Sequence, residues 1–206
     1  MSEIKHFNAG NVFGKILEVK QEESEGGKEY LQIQVDVSGD KSGRVTAYCR
    51  MWNNDHGRIH EFMDEFKANP GDLYWFKGFL GQYVSKQGDV MNNFTVFQWE
   101  RKKAEKRAVF ILKGEVSHHP SGLNCGGQMI KLVVRRDGTN GQQQEEEFEV
   151  WAPGEDLLEQ VAKGDVIEVK GLIRQKDVDD FYGGSDGPIR AFVGKLAVIQ
   201  SAQEQP

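Results

Sequence analysis

The stretch GDLYWFKGFLGQY, residues 71–83, carries large rings in both phases of a β-strand. One set of alternate positions is Tyr74, Phe76, Gly78 and Leu80; the other is Leu73, Trp75, Lys77, Phe79, Gly81 and Tyr83. A half-buried strand alternates apolar with polar. One set can therefore fill a core, and the other needs a second purpose. Comparison with GDVIEVKGLIRQ, residues 164–175, sorts the two sets. Both stretches begin with Gly-Asp, place Lys-Gly six residues after the first glycine and then reach Gln in the same frame. In the later copy Ile167, Val169, Gly171 and Ile173 are expected inside, because their alternates include Glu168, Lys170 and Arg174. The same frame puts Tyr74, Phe76, Gly78 and Leu80 inside and points Trp75, Lys77, Phe79 and Tyr83 outward.

The repeat extends beyond these strands. Upstream of each lies an alternating segment that ends in Trp, RVTAYCRMW (44–52) and EEEFEVW (145–151). Short helical patterns follow, RIHEFMDEF (58–66) and EDLLEQVA (155–162). Two strand-like runs open each half: VFGKILEV (12–19) and YLQIQVDV (30–37), then VFILKGEV (109–116) and MIKLVVR (129–135). A last strand closes each: NFTVFQW (93–99) and RAFVGKLAVI (190–199). The order β-β-β-α-β-β, read twice, predicts an all-β protein with one short helix per unit, built as two tandem OB-fold barrels. Gly78 and Gly171 suit the bent strand of a small barrel. The expected boundaries are 1–99 for the first barrel, 100–107 for a basic linker, 108–200 for the second barrel and 201–206 for a short tail.

With 38% hydrophobic and 28% charged residues among 206, the composition is that of a soluble globular protein. No apolar run approaches the roughly 18 residues of a membrane-spanning helix, so no membrane partner is expected. The start, MSEIKHFNAGNVFGK, lacks the apolar core of a secretory leader, and Cys49 and Cys125 form no disulfide framework. A reducing, cytoplasmic setting is the expectation. The net charge of −6 speaks against nucleic acid only until its distribution is read. Residues 1–99 hold 11 basic and 14 acidic groups, and ERKKAEKR (100–107) holds 5 and 2. Residues 108–206 hold 10 and 16, with acid clustered in EEE (145–147) and DVDD (177–180).

The outward sets suggest what such a surface binds. Single-stranded bases expose a π-face on which aromatic side chains stack at about 1–3 kcal/mol per base, and cations along the groove hold the phosphates. In RVTAYCRMW the interior set is Val45, Ala47, Cys49 and Met51, leaving Arg44, Thr46, Tyr48, Arg50 and Trp52 outside. Tyr30, Gln32 and Gln34 are the outward residues of the preceding strand. With Trp75, Lys77, Phe79 and Tyr83 they make a row of rings and cations. The second half is plainer: Lys131 and Arg135, Phe148 or Trp151, and Lys170 and Arg174, with Phe181 and Tyr182 in the stretch KDVDDFYGGSDG (176–187). The first half is the stronger stacking surface. HHPSGLNC (118–125) sets two His near one Cys but lacks the four ligands of a structural zinc site, so no metal or cofactor is expected. No nucleophile elbow or phosphate loop occurs, and no catalysis is expected.

AKGDVIEVKGLIR (162–174), after a short helical pattern and an alternating strand, resembles bacterial single-stranded DNA-binding proteins. VFILKGEVSHHP (109–120) looks like that family's first strand. The resemblance covers most of 108–199 and, more loosely, 11–99. It implies non-catalytic, largely sequence-independent binding of single-stranded DNA, in replication, recombination or the transfer of mobile elements. Two barrels per chain, where most members have one, imply a homodimer that gathers four. SAQEQP (201–206) departs from the family's acidic, Phe-terminated tail. RNA fits the same surface, because stacking does not read the 2′-hydroxyl. An alternative from another class is a protein-interaction or oligomerisation module, whose outer rings pack on a partner. Salt separates these readings, since nucleic-acid affinity falls steeply with salt and apolar packing does not.

Overall fold

Alternation of apolar and polar residues sets nearly all of the secondary structure. The computed structural model describes residues 5–24, 26–38, 45–53, 58–84, 90–122, 128–137, 142–152, 160–174 and 190–202, with backbone alone at 83, 84, 90–92, 137, 174 and 190–194. In chain order the elements are β1 (Phe7–Glu23), β2 (Glu29–Asp36), β3 (Thr46–Trp52), α1 (Arg58–Ala68), β4 (Leu73–Val84), β5 (Val90–Arg101), β6 (Arg107–Val116), β7 (Ser121–Gly122), β8 (Gln128–Asp137), β9 (Gln143–Ala152), β10 (Val166–Arg174) and β11 (Arg190–Gln200). Within 100–107, Glu100 and Arg101 continue β5 and Arg107 opens β6. Contacts group the chain into two units. One contains Gly10–Ala108; the other contains Val109–Ile173, the segment from Arg190 onward and the residues up to Ala9.

In the first unit the strand pairings return to their start. β1 pairs antiparallel with β2 and with β4, and β2 pairs antiparallel with β3. β3 runs parallel to β5, which pairs antiparallel with β4. A ring of five strands leaves no long open edge for unwanted pairing. Its interior holds the expected set: Ala47, Cys49, Met51, Tyr74, Phe76 and Leu80 are buried, with Leu31, Ile33 and Val35 from β2. Burial pushes the Cys49 thiol well above its ordinary range, so it packs as a small apolar group.

α1 lays Ile59 and Phe62 on this interior at helical spacing. The Phe62 ring lies 5.8 Å from Tyr74, 5.9 Å from Phe76 and 5.3 Å from Trp99, all edge-on. Such pairs add about 0.5–1.5 kcal/mol each to the burial itself. The helix stops where Asn69 turns its side-chain amide onto the Glu65 carbonyl at 3.0 Å, one residue before Pro70. Gly71 then takes φ +91°, and Gly164 takes φ +91° before β10, so the shared Gly-Asp marks the same left-handed turn in both halves.

The second unit shows the same pairing scheme. β6 pairs antiparallel with β10 and β8, β8 with β9, and β9 parallel with β11, which neighbours β10. Ile167, Val169 and Ile173 are buried as expected, whereas Gly171 is only half-buried. Phe148, offered as an outward ring, is 1% exposed, because it shares its phase on β9 with Val150. The helical pattern at 155–162 falls mostly outside the described residues; of it, Val161 is buried.

One hydrogen bond in this unit is tied to pH. His6 Nδ1 accepts the Arg135 backbone N–H at 2.9 Å. Burial, then the nearby Arg135 charge, holds the His6 pKa below 6.5, against the pull of Glu115 and Glu145. A histidine kept neutral in the fold contributes stability that is full above its unfolded pKa and is lost as pH falls through the lower folded value. The thermal midpoint of the wild type should therefore drop further between about pH 7.5 and pH 5.5 than that of His6→Gln, which keeps an acceptor but does not titrate. Equal drops would show that His6 is not the group responsible.

Candidate nucleic-acid interface

The outer face of the first unit is built by register. Across β2, β3, β5 and β4 the residues Gln32, Arg50, Thr95 and Phe79 stand opposite one another in a single row. In the next row Tyr30 faces Trp52. Beyond the parallel pair Met51 and Val96 the two strands continue with Trp52 and Phe97, and Gln98 faces Lys77. At about 4.8 Å between neighbouring strands, each row spans roughly 14 Å.

Phe97 joins this face through a bulge. The register between β4 and β5 shifts between Lys77 and Gly78: Lys77 faces Gln98, Gly78 faces Val96, and Phe97 is the extra residue. The bulge reverses the phase of β5. Phe94 and Val96 point inward before it, and after it Trp99 packs on Phe62. Phe97 is left 43% exposed, with Lys77 Nζ 5.8 Å from its ring centre.

The other rings are also held beside cations. Tyr30 and Trp52 lie 5.0 Å apart with their planes tilted by 50°. The Arg50 guanidinium sits 4.4 Å from the Tyr30 ring and 5.5 Å from the Trp52 ring. Lys28 Nζ is 5.6 Å from Trp52. Tyr48 accepts a hydrogen bond from Gln34 Nε2 at 3.1 Å, which fixes its hydroxyl. Trp75 donates from Nε1 to Asn11 Oδ1 at 3.0 Å, and Lys102 Nζ lies 4.0 Å over its ring. Phe79 is half-buried beside these. Cation–π contacts at such exposed sites are worth about 0.5–1 kcal/mol each, enough to bias side-chain position without locking it.

The structure thus brings Tyr30, Tyr48, Arg50, Trp52, Lys77 and Phe79 onto one face, with Trp75 one alternate position along β4 from Lys77. Arg44, Phe181 and Tyr182 lie outside the described residues, and Tyr83 and Arg174 are described in backbone alone. Thr46, expected outward, is 2% exposed, so the accessible face of β3 begins at Tyr48. Sequence reasoning missed Phe97 and Lys28, and it placed Lys102 in the basic linker rather than over a ring. The signal for Phe97 was the apolar sequence Phe94, Val96, Phe97, Trp99, which no single alternation satisfies.

In the second unit the named cations meet carboxylates. Lys131 Nζ is 3.1 Å from Glu149 and 3.7 Å from Glu147. Arg135 contacts Glu145 at 2.6 Å and Glu115 at 2.8 Å, and Lys170 contacts Glu168 at 2.9 Å. The hydrogen bond to Glu149 raises the Lys131 pKa, and that to Glu145, then Glu115, raises Arg135's. Trp151 is half-buried opposite Met129. Among the described residues no group of His, Cys, Asp and Glu is arranged to hold a metal ion, and no helix is long and apolar enough to cross a membrane.

No family model matches the chain, and no curated protein matches it. Solved structures do. The crystal structure of the wild-type single-stranded DNA binding protein from Thermus aquaticus aligns with a TM-score of 0.63 at 18% identity, covering 98% of both chains. A deletion mutant of the same Thermus aquaticus protein aligns with a TM-score of 0.62 at 17% identity, again over 98% of both. At this level of identity the likeness is one of fold, and the chain has the fold of that DNA-binding protein along nearly its whole length.

Proposed function

We propose that the protein binds single-stranded nucleic acid, DNA in the first instance, without strong sequence preference, and so shields exposed strands. The observation that carries this reading is the outer face of the first unit. There Tyr30, Trp52 and Phe97 occupy adjoining strands, and Arg50, Lys28 and Lys77 stand 4.4–5.8 Å from their ring centres. Rings supply stacking that every base can use; cations beside them supply phosphate partners at each stacking position. β2 and β3, which carry Tyr30, Arg50 and Trp52, correspond to the strands whose face binds ligands in OB-folds, and the pairing of both units supports two such barrels in one chain. The fold shared with a single-stranded DNA-binding protein supports the same reading.

The test is a titration of intrinsic Trp fluorescence with oligo(dT), an RNA of the same length and duplex DNA, at two salt concentrations. Quenching by oligo(dT) that weakens steeply with salt is expected, with little response to duplex. Absence of both quenching and a gel shift at low salt would sink the proposal. Equal affinity for RNA would broaden the ligand to single strands of either sugar.

A further inference from the structure

The two units repeat one pairing scheme but do not repeat its outer chemistry. On β3 the outward positions from Tyr48 onward are Tyr48, Arg50 and Trp52. On β9, the counterpart of β3 in the other unit, they are Glu145, Glu147, Glu149 and Trp151. The partner strand β8 places Arg135 opposite Glu145, Val133 opposite Glu147 and Lys131 opposite Glu149. The carboxylates take up the cations that a phosphate chain would need: Lys131 lies between Glu147 and Glu149, and Arg135 between Glu145 and Glu115. This row holds four carboxylates and two cations, so it repels a polyanion where the β3 face attracts one.

We infer that Glu145, Glu147 and Glu149 exclude a nucleic-acid strand from the β8–β9 face, confining it to the first unit. The inference rests on the single-strand reading above and names the residues that limit its extent. The glutamates act as specificity determinants: they hold Lys131 and Arg135 in a ladder and set the sign of the field over Trp151. Side chains in the ladder are a third or more exposed at Lys131, Arg135 and Glu149 (34%, 33% and 48%), so removing the acids frees the cations toward solvent without opening the core.

The experiment compares the wild type with a Glu145→Gln, Glu147→Gln, Glu149→Gln variant, titrating each with oligo(dT) of increasing length. Each new phosphate contact steepens the salt dependence by about 0.7 for single strands, so one to two freed cations add roughly a three- to sevenfold larger loss of affinity between 50 and 200 mM salt. The occluded length should grow as well. A control variant, Glu61→Gln, Asp64→Asn, Glu105→Gln, removes the same charge at exposed positions in the first unit and should leave the occluded length unchanged. Circular dichroism checks folding, and Glu149→Gln alone, which leaves both Arg135 pairs intact, should show the smaller of the two increases. Photocrosslinking of the wild type with iododeoxyuridine-substituted oligonucleotide should label Tyr30 or Trp52 and not Trp151. If the wild type binds but the neutralised variant keeps its salt slope and occluded length, or if Trp151 crosslinks in the wild type, the exclusion is wrong and the single-strand reading stands. If the wild type binds no oligonucleotide, both fall.

Discussion

Replacing Trp52 and Phe97 together by alanine is expected to weaken oligo(dT) binding at least about 30-fold. Each stacked ring contributes about 1–3 kcal/mol by truncation, and two rings at the lower end already give that factor. The cost to folding is smaller. Phe97 is 43% exposed at a bulge, and Trp52 is half-buried, its ring contact with Tyr30 worth about 0.5–1.5 kcal/mol. The two rings lie on neighbouring strands, and the single variants complete a double-mutant cycle that measures any departure from this sum. Fluorescence from the remaining tryptophans reads the binding, and a thermal melt reads the fold. Phe7→Ala removes a comparably exposed ring from the other unit and should leave affinity unchanged. A double variant that binds as tightly as the wild type would make the ring row a structural feature.

How much of this face could be read in the sequence depends on which physical rule set each position. Where one rule applied, the reading succeeded. The phase borrowed from residues 164–175 placed Tyr74, Phe76 and Leu80 inside and Trp75 and Lys77 outside, because Lys-Gly lies in the same frame in both strands. Strict alternation on β2 and β3 did the same for Tyr30, Arg50 and Trp52. Where a tertiary detail intervened, alternation failed. The bulge on β5 turns Phe97 outward, and no local pattern announces a bulge except a phase that refuses to fit. Thr46 is buried although its phase on β3 is the outward one. The cations of the second unit were visible as residues, but their neutralisation was not. EEEFEVW puts Glu145, Glu147 and Glu149 in one phase, but only the strand pairing shows that this phase faces Lys131 and Arg135. Charge counted along a sequence says little about charge across a sheet.

Gly78→Ala should be strongly damaging to the first unit, lowering stability by about 3 kcal/mol or more. Gly78 stands opposite Gly10 on β1 and Val96 on β5, beside the bulge. A methyl group there would overlap the Thr95 carbonyl oxygen and come within 2.9 Å of both the Thr95 carbonyl carbon and the Phe94 ring. A flexible side chain could turn away; a backbone carbonyl in a paired strand cannot move without opening the ladder. With total stability for a domain of this kind at about 5–15 kcal/mol, such a loss is large but leaves a measurable folded state. Urea denaturation should show a lower midpoint with an unchanged slope. Gly26→Ala, where an added methyl meets nothing within 4 Å, should change stability by no more than about 0.5 kcal/mol. The same close approach allows β5 to fold in an extra residue against β4, so Gly78→Ala should also shift Phe97 away from Lys77 and weaken oligonucleotide binding beyond what unfolding explains. A Gly78→Ala protein with wild-type stability and wild-type affinity would mean that neither the packing of β4 on β5 nor the presentation of Phe97 depends on a missing side chain.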